Sequence, residues 1–129
     1  MPVDQESPAV AIARAHVEAW SNHNWPEARK SLAADVHVTA TSTQPTMSAT
    51  DLTGADDYMD GLVEFAGAVA PGSARVLASV GDERNALLLL TVEADFGGGK
   101  VTLPAARLYL FDEEDKLKAE QVVFFVAPN

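Results

Sequence analysis

The sequence predicts an α+β fold in which three helices precede a four-stranded antiparallel meander, with one further strand inserted early. Two observations predict this class. Apolar residues recur at helical spacing in the first half, and four apolar runs separated by short turns follow Gly72. Short turns make neighbouring strands antiparallel. A chain of 129 residues forms one core, so we expect a flexible tail over 1–6 and a single domain over 7–129.

The first helix is predicted to begin at Ser7 and Pro8, because serine is a good N-cap and proline fits the first turn. One apolar stripe follows at spacings of three and four residues: Val10, Ala13, Val17 and Trp20. Asn24 and Glu27 form a capping pair for a second helix, which is expected to run to about Ala34.

A strand is predicted from residue 35 onwards, because Val36, Val38 and Ala40 alternate with polar residues. Residues 41–52 are polar and contain one proline, which predicts a mobile loop. Thr53 and Asp56 are expected to cap the third helix. This helix has one apolar face and is predicted to end at Pro71-Gly72. The remaining strands are predicted over 73–81, 85–96, 100–111 and 116–126.

Two of these strands are apolar without alternation, although a sheet that is wet on one face should alternate. Helices can cover only one face, so the other is expected to expose an apolar patch: Leu88, Leu90, Val123 and Phe125. Arg107 and Tyr109 are assigned to the same outer face. Such a patch predicts a homodimer through the outer face of the sheet. The alternative is a sheet curled tightly enough to bury both faces within one chain.

The composition excludes several classes of partner. A net charge of -10 without a basic cluster argues against nucleic acid and against anionic membranes. The chain has no cysteine, and its start has no basic and apolar signal pattern, so we expect a cytoplasmic protein without disulfides. The three histidines lack metal-ligand spacing, and no phosphate-binding loop is present, so we expect neither a metal nor a cofactor.

The order of these elements resembles the nuclear transport factor 2-like superfamily, in its SnoaL-like (polyketide-cyclase-like) branch. The matching segments are residues 19–20 (AW), 22–25 (NHNW), 32–36 (LAADV) and 53–54 (TG), with the final hairpin over 101–111 and 116–125. The resemblance implies a cone-shaped, curved antiparallel or mixed sheet wrapped around three helices, with an internal pocket. It does not settle function, because the superfamily includes isomerases, cyclases, dehydratases, epoxide hydrolases and binding domains.

The resemblance also shows which family residues are missing. Steroid isomerases of the superfamily place an aspartate base where this chain has Ala40, and a protonated acid where it has Ala106. Alanine neither takes nor donates a proton, so that mechanism loses its base and one oxyanion donor. The Asp–Arg–Asp relay of limonene-type epoxide hydrolases is incomplete as well, because its last acid falls near Val122.

Three residues remain as candidate catalytic groups: His16, Glu93 and Glu120. His16 lies at the edge of the first apolar stripe and corresponds to a tyrosine that is catalytic in relatives. It could handle a proton, or it could be a boundary histidine that only hydrogen-bonds locally. The resemblance turns both glutamates inward, where one would act as base. Periodicity alone instead puts Glu93 outside, because the even residues of its strand are the more apolar set.

The expected walls of the pocket are mainly apolar. The candidate ligand-binding residues are Trp20, Val38, Ala40, Tyr58, Leu62, Ala106, Val122 and Phe124. Tyr58 could hold a polar end of a ligand or serve as core.

The first functional hypothesis is an acid–base enzyme without cofactor, an isomerase, cyclase, dehydratase or hydrolase that acts on a small apolar molecule. The second is a ligand-binding domain without catalysis, and the third is a dimerisation module with a filled core. A pocket of ~300 Å³ or more would argue against the filled core.

Overall fold

The structure, a computed structural model, describes residues 6–42 and 50–125. Within these residues the helices are α1 (Pro8–Ser21), α2 (Trp25–Lys30) and α3 (Ala55–Ala66). The strands are β1 (Leu32–Ser42), β2 (Thr50–Thr53), β3 (Arg75–Gly81), β4 (Asn85–Asp95), β5 (Lys100–Phe111) and β6 (Leu117–Phe124). Most of the predicted tail and of the predicted loop lies outside the described residues.

The strands form one six-stranded sheet in the order β2-β1-β6-β5-β4-β3. The β1 and β6 strands run parallel, and the other neighbours are antiparallel. The sheet is therefore mixed and does not close, and the predicted α+β fold is confirmed. The α1 helix contacts β3, β4 and β5, while α3 contacts β1 and β2, so both helices lie on one face. None of the described helices has the length and apolar character needed to cross a membrane.

Several local predictions are confirmed. The Ser7 hydroxyl accepts a hydrogen bond from the amide of Val10, and Asn24 caps α2 by accepting one from the amide of Glu27. Strands β3 to β6 begin and end within two residues of their predicted bounds. Their turns were identifiable because glycine and aspartate supply the backbone geometry and local hydrogen bonds that turns need.

Long-range pairing shifts other boundaries. The α2 helix ends at Lys30 rather than near Ala34, because the carbonyl of Ser31 accepts a hydrogen bond from the amide of Leu117 and β1 begins at once beside β6. The β2 strand was not predicted at all. It pairs with β1, and Leu52 lies opposite Val38.

The third helix also differs from its prediction at both ends. Gly54, with φ of 100°, stands at the N-cap without a side-chain hydrogen bond, so the predicted caps Thr53 and Asp56 are wrong. A positive φ at this position favours glycine. The helix ends at Ala66 because the chain then runs along β4, where Val69 bridges to Ala94.

The predicted outer patch is half right: Val123 pairs with the outward Ala106 and Phe125 is exposed, but the β4 part of the patch is wrong. Leu88 and Leu90 are buried beneath the helices, whereas Leu87 and Leu89 point outward and are about two-fifths exposed, at 42% and 37%. Cross-strand partners share a face, so the pairing of Leu88 with Arg107 turns that arginine inward. The sequence could not predict which residues of β4 face inward, because four consecutive leucines fit either face.

Candidate functional site

A cavity of about 200 Å³ lies between α3 and the strands β1, β2, β5 and β6. Most of its wall is apolar: Val38, Ala40, Leu52, Leu62, Phe65, Val122 and Phe124. Four polar side chains interrupt this wall: Thr50 on β2, and the buried Tyr58, Arg107 and Glu120. The volume is below the ~300 Å³ of a typical drug-sized site, but it exceeds the ~150 Å³ of a cavity that binds benzene.

The three buried polar side chains form one connected cluster with His16 on α1. Arg107 Nη1 donates to Glu120 Oε2 at 2.8 Å, and the Tyr58 hydroxyl donates to Glu120 Oε1. The same hydroxyl lies 3.0 Å from His16 Nε2. All four side chains are buried, with no more than 4% of any residue exposed. The cluster therefore connects α1 and α3 to the hairpin formed by β5 and β6.

Strand register brings the ion pair together. Arg107 lies opposite Val122, and Tyr109 lies opposite Glu120, so Arg107 and Glu120 are diagonal neighbours on one face. Diagonal neighbours in an antiparallel pair are within reach of long side chains. Alternate residues of β5 and β6 are buried in the apolar core. Arg107 and Glu120 occupy two of these inward-facing positions, so both charges are buried with the apolar residues.

Aromatic rings surround the buried guanidinium. The Arg107 Cζ atom lies 4.8 Å from the ring centre of Trp20, 5.6 Å from that of Phe65 and 5.8 Å from that of Phe124. Ring faces attract a cation within about 6 Å, which offsets part of the cost of burying this charge. Burial lowers the pKa of Arg107, but the Glu120 carboxylate together with the hydroxyls of Tyr109 and Tyr58 outweighs burial, and the net pKa is raised. Arg107 therefore remains charged.

The tyrosine and the histidine both remain neutral near pH 7. Burial, followed by the charge of Glu120, raises the pKa of Tyr58 well above its ordinary value. Burial lowers the pKa of His16 to about 4, and the opposing attraction of Glu120 only limits this shift. Since the proton of Tyr58 is donated to Glu120, we assign the His16 Nε2–H as the donor to the tyrosine oxygen. His16 thus orients Tyr58 and does not line the cavity.

The structure separates the three candidate catalytic residues. His16 and Glu120 belong to the same cluster, joined by Tyr58. The inward placement of Glu93 is wrong, because odd residues of β4 face away from the helices. Its Oε2 accepts a hydrogen bond from the Thr102 hydroxyl at 2.6 Å on the outer face.

The predicted pocket walls divide in the same way. Six of the predicted residues line the cavity: Val38, Ala40, Tyr58, Leu62, Val122 and Phe124. Trp20 is buried behind Arg107 and supports it without lining the cavity. The placement of Ala106 in the pocket is wrong, since it pairs with Leu89 on the outer face.

Arg107 and Tyr109 were assigned to the outer face, and this assignment is wrong. Both are buried on the inner face, at 4% and 0% exposure. The signal that could have found them is their shared parity with Phe111, a large aromatic residue on the same strand. Opposite charges on the two strands of one hairpin were a second signal, because such pairs often meet across a sheet.

A larger cleft of about 620 Å³ adjoins the cavity and shares Thr50, Leu52, Gly61 and Phe65 with it. The rest of its wall is exposed: Asp57, Asp60 and Glu64 on α3, and Phe96 after β4. The approach to the cavity is therefore acidic. Among the described residues, no three histidine, aspartate or glutamate side chains converge as metal ligands would.

The sequence matches the family model of the SnoaL-like domain over residues 13–120. A search of curated proteins found no match. Among solved structures, a protein from Kribbella flavida is 21% identical with a TM-score of 0.77, over 92% of this chain and 88% of that one.

Two other similar structures come from Mycobacterium tuberculosis. An LEH-like epoxide hydrolase is 15% identical with a TM-score of 0.69, over 91% of this chain and 82% of that one. The protein RV0760c, in complex with estradiol-17beta-hemisuccinate, is 13% identical with a TM-score of 0.70, over 91% of this chain and 93% of that one. At these identities the likeness shows a shared fold and leaves activity open.

Proposed function

We propose that this chain, which belongs to the SnoaL-like domain family, binds a compact, mostly apolar small molecule in the cavity. We further propose that it acts on that molecule by acid–base chemistry without a cofactor. The reaction class is isomerisation, cyclisation, dehydration or hydrolysis, all of which need a proton to be moved to or from the bound molecule.

The observation that carries this proposal is the buried ion pair of Arg107 and Glu120 on the cavity wall. A buried pair is a poor way to stabilise a core, because apolar residues of similar volume are often as good or better. A charged pair that faces an otherwise apolar cavity is therefore better explained by what enters the cavity. Buried charges with specific partners in a cleft are typical of functional sites.

Each member of the cluster has a role that its geometry permits. Glu120 is the proposed proton acceptor, because each carboxylate oxygen has a second lone pair beyond the one used by Tyr58 or Arg107. Arg107 would stabilise the negative charge that develops on the ligand when its proton leaves. His16 acts through Tyr58 and is a positioning residue.

The similar structures support a small-molecule role without naming the substrate. One is an LEH-like epoxide hydrolase, and another is in complex with estradiol-17beta-hemisuccinate. Ala40 lines the cavity where the steroid isomerases place their aspartate base, so that arrangement lacks its base here. The proposed chemistry therefore rests on Glu120 rather than on the family positions.

Binding without catalysis is the second candidate function. One observation favours it: both oxygens of Glu120 already accept hydrogen bonds from the protein, and His16 is neutral. In that case the cluster would serve only to orient the polar end of a ligand.

A homodimer through the outer face of the sheet is a further proposal. The corrected patch combines exposed Leu87 and Leu89 with the half-buried residues beside them, Ala106, Leu108 and Val123. Contiguous apolar patches of this kind mark interfaces.

The test of catalysis is a turnover screen of compact neutral ketones, epoxides and alcohols with the wild-type chain, followed by Glu120→Gln. Any turnover found should fall by at least about a hundredfold in this variant, the typical contribution of a positioned base. The matched control is Glu93→Gln, which removes a carboxylate from the outer face and should leave turnover unchanged. Equal activity of wild type and Glu120→Gln would refute the role of Glu120, and ligand binding with no turnover would favour the second candidate.

A further inference from the structure

We infer that the cavity selects uncharged ligand groups about the size of one six-membered ring, and that Glu120 sets this selectivity by cancelling the charge of Arg107. The inference rests on the proposed function only in taking the cavity as the binding site. It holds whether or not the bound molecule is transformed.

The charges around the cavity sum to zero. Arg107 and Glu120 carry one charge each, and their side chains meet at 2.8 Å with at most 5% of either exposed. The Tyr58 hydroxyl and the His16 ring are neutral and donate along one chain of hydrogen bonds toward Glu120. The rest of the wall is almost entirely apolar. The two buried charges thus neutralise each other, although Arg107 Nε has no hydrogen-bond partner among the described residues.

A charged ligand group would upset this balance. The charged group would lose its hydration on entering the cavity. The cavity offers no unpaired charge of the opposite sign, and desolvation of an unpaired ion is costly. An anion could reach Arg107 only by competing with Glu120, and a cation could reach Glu120 only by competing with Arg107. A neutral polar group can hydrogen-bond to the pair without displacing either partner.

Acidic residues outside the cavity allow selection by the buried ion pair to be distinguished from attraction by surface charge. Asp57, Asp60 and Glu64 are exposed on α3 beside the adjoining cleft. They would attract a cation and repel an anion, although solvent weakens both effects. If the surface field governed selection, cations would bind best. If the internal balance governs it, cations and anions are both rejected.

The size of the entering group follows from the volume. At about 200 Å³ the cavity is somewhat larger than the ~150 Å³ that suffices for benzene. A helix position at the mouth is already tight, since a Cβ on Gly61 would lie 2.7 Å from Leu52 Cδ1. One ring with one polar substituent fits this space.

The experiment uses three probes of nearly identical shape: benzamide, benzoate and benzamidinium. Binding to the full chain is measured at pH 7 by protein-observed NMR titration. We expect benzamide to bind at least about tenfold more tightly than either ion, a difference well within what an unpaired buried charge costs. Binding of either ion within about threefold of benzamide, or no binding of any probe, would overturn the inference.

A variant then tests the part played by Glu120. Glu120→Gln preserves shape and the acceptor for Tyr58 but leaves Arg107 without a counter-ion. We expect the preference to reverse, so that benzoate binds this variant more tightly than benzamide. Glu93→Gln should keep the wild-type order. An unchanged order in a folded Glu120→Gln would overturn the role of Glu120. If that variant does not fold, Arg107→Gln replaces it: Glu120 then has no counter-ion, so benzamidinium should bind more tightly than benzamide, and an unchanged order would overturn the role of the pair.

The outcomes also separate this inference from the catalytic proposal. Selective benzamide binding with no turnover in any screen would support neutral selection and contradict the proposed catalysis. Turnover of a charged substrate that depends on Glu120 would support the proposed catalysis and contradict neutral selection.

Discussion

Arg107 and Glu120 lie diagonally across the last hairpin, and their buried side chains meet at 2.8 Å. Trp20 and Phe65 cover the guanidinium, and Tyr58 binds the carboxylate. The partners depend on each other, because neither charge has another full counter-charge in contact among the described residues.

We predict strong coupling between these two charges. Arg107→Leu and Glu120→Leu should each destabilise the fold by about 3–5 kcal/mol, because each leaves a buried charge alone. The double variant should cost clearly less than the sum of the two single variants. Urea denaturation of all four proteins measures this coupling. Additive costs within about 0.5 kcal/mol would show that the pair is not coupled.

Folding stability should fall as the solution becomes acidic, through His16. Its pKa is about 4 in the fold and 6.5 in the unfolded chain, so between these values only the unfolded chain takes up the proton. Stability is therefore complete above about pH 6.5 and is lost progressively toward pH 4, by roughly 3 kcal/mol in all.

Denaturation curves at several pH values measure this effect, and His16→Gln is the informative variant. It should flatten the part of the profile between pH 4 and 6.5. Identical profiles for wild type and His16→Gln would contradict the prediction.

Gly61→Ala should leave stability nearly unchanged while weakening ligand binding. Alanine gains up to about 1 kcal/mol of helix propensity over glycine. That gain is offset because the new Cβ would lie 2.7 Å from Leu52 Cδ1 and must displace this cavity-lining side chain. Thermal denaturation and benzamide titration measure the two effects.

The control for this prediction is the double variant Gly61→Ala/Leu52→Ala. Shortening Leu52 removes the clash, so affinity should recover relative to Gly61→Ala alone. If the double variant binds no better than Gly61→Ala, the contact between Gly61 and Leu52 does not govern access.

The proposed dimer depends on the outer face of the sheet. Leu87→Glu combined with Leu89→Glu should produce a monomer, because four new charges would meet across a symmetric interface of two chains. Sedimentation velocity at micromolar concentration measures the state. The control is Val63→Glu on α3, which adds a charge at an exposed site away from the sheet. Sedimentation of the wild-type protein only as a monomer would contradict the proposed dimer.

Local patterns predicted most of the fold. The stripe of α1 and the turns between β3 and β6 are encoded by neighbours in sequence, so spacing and turn chemistry reveal them. The β2 strand is different, because its four residues become a strand only through pairing with β1. The early end of α2 has the same kind of cause, since the distant Leu117 binds the carbonyl of Ser31.

The site was predictable only in parts. His16, Tyr58 and Glu120 were found singly, from helical stripes and from the resemblance, but nothing in the sequence joined them. Arg107 was placed on the wrong face because its strand is apolar on both parities, and only the register with β4 decides which parity is inside. Glu93 was misplaced by the resemblance, whereas the apolar parity of its own strand pointed to the correct face.

The parallel pairing of β1 with β6 joins segments about eighty residues apart, as the contact of Thr39 with Gln121 shows. Such distant contacts slow folding, because a long loop must close before they form. Glu120 lies on β6, so one wall of the cavity is missing until β1 and β6 have paired. A partly folded chain that lacks this pairing therefore cannot retain a guest molecule.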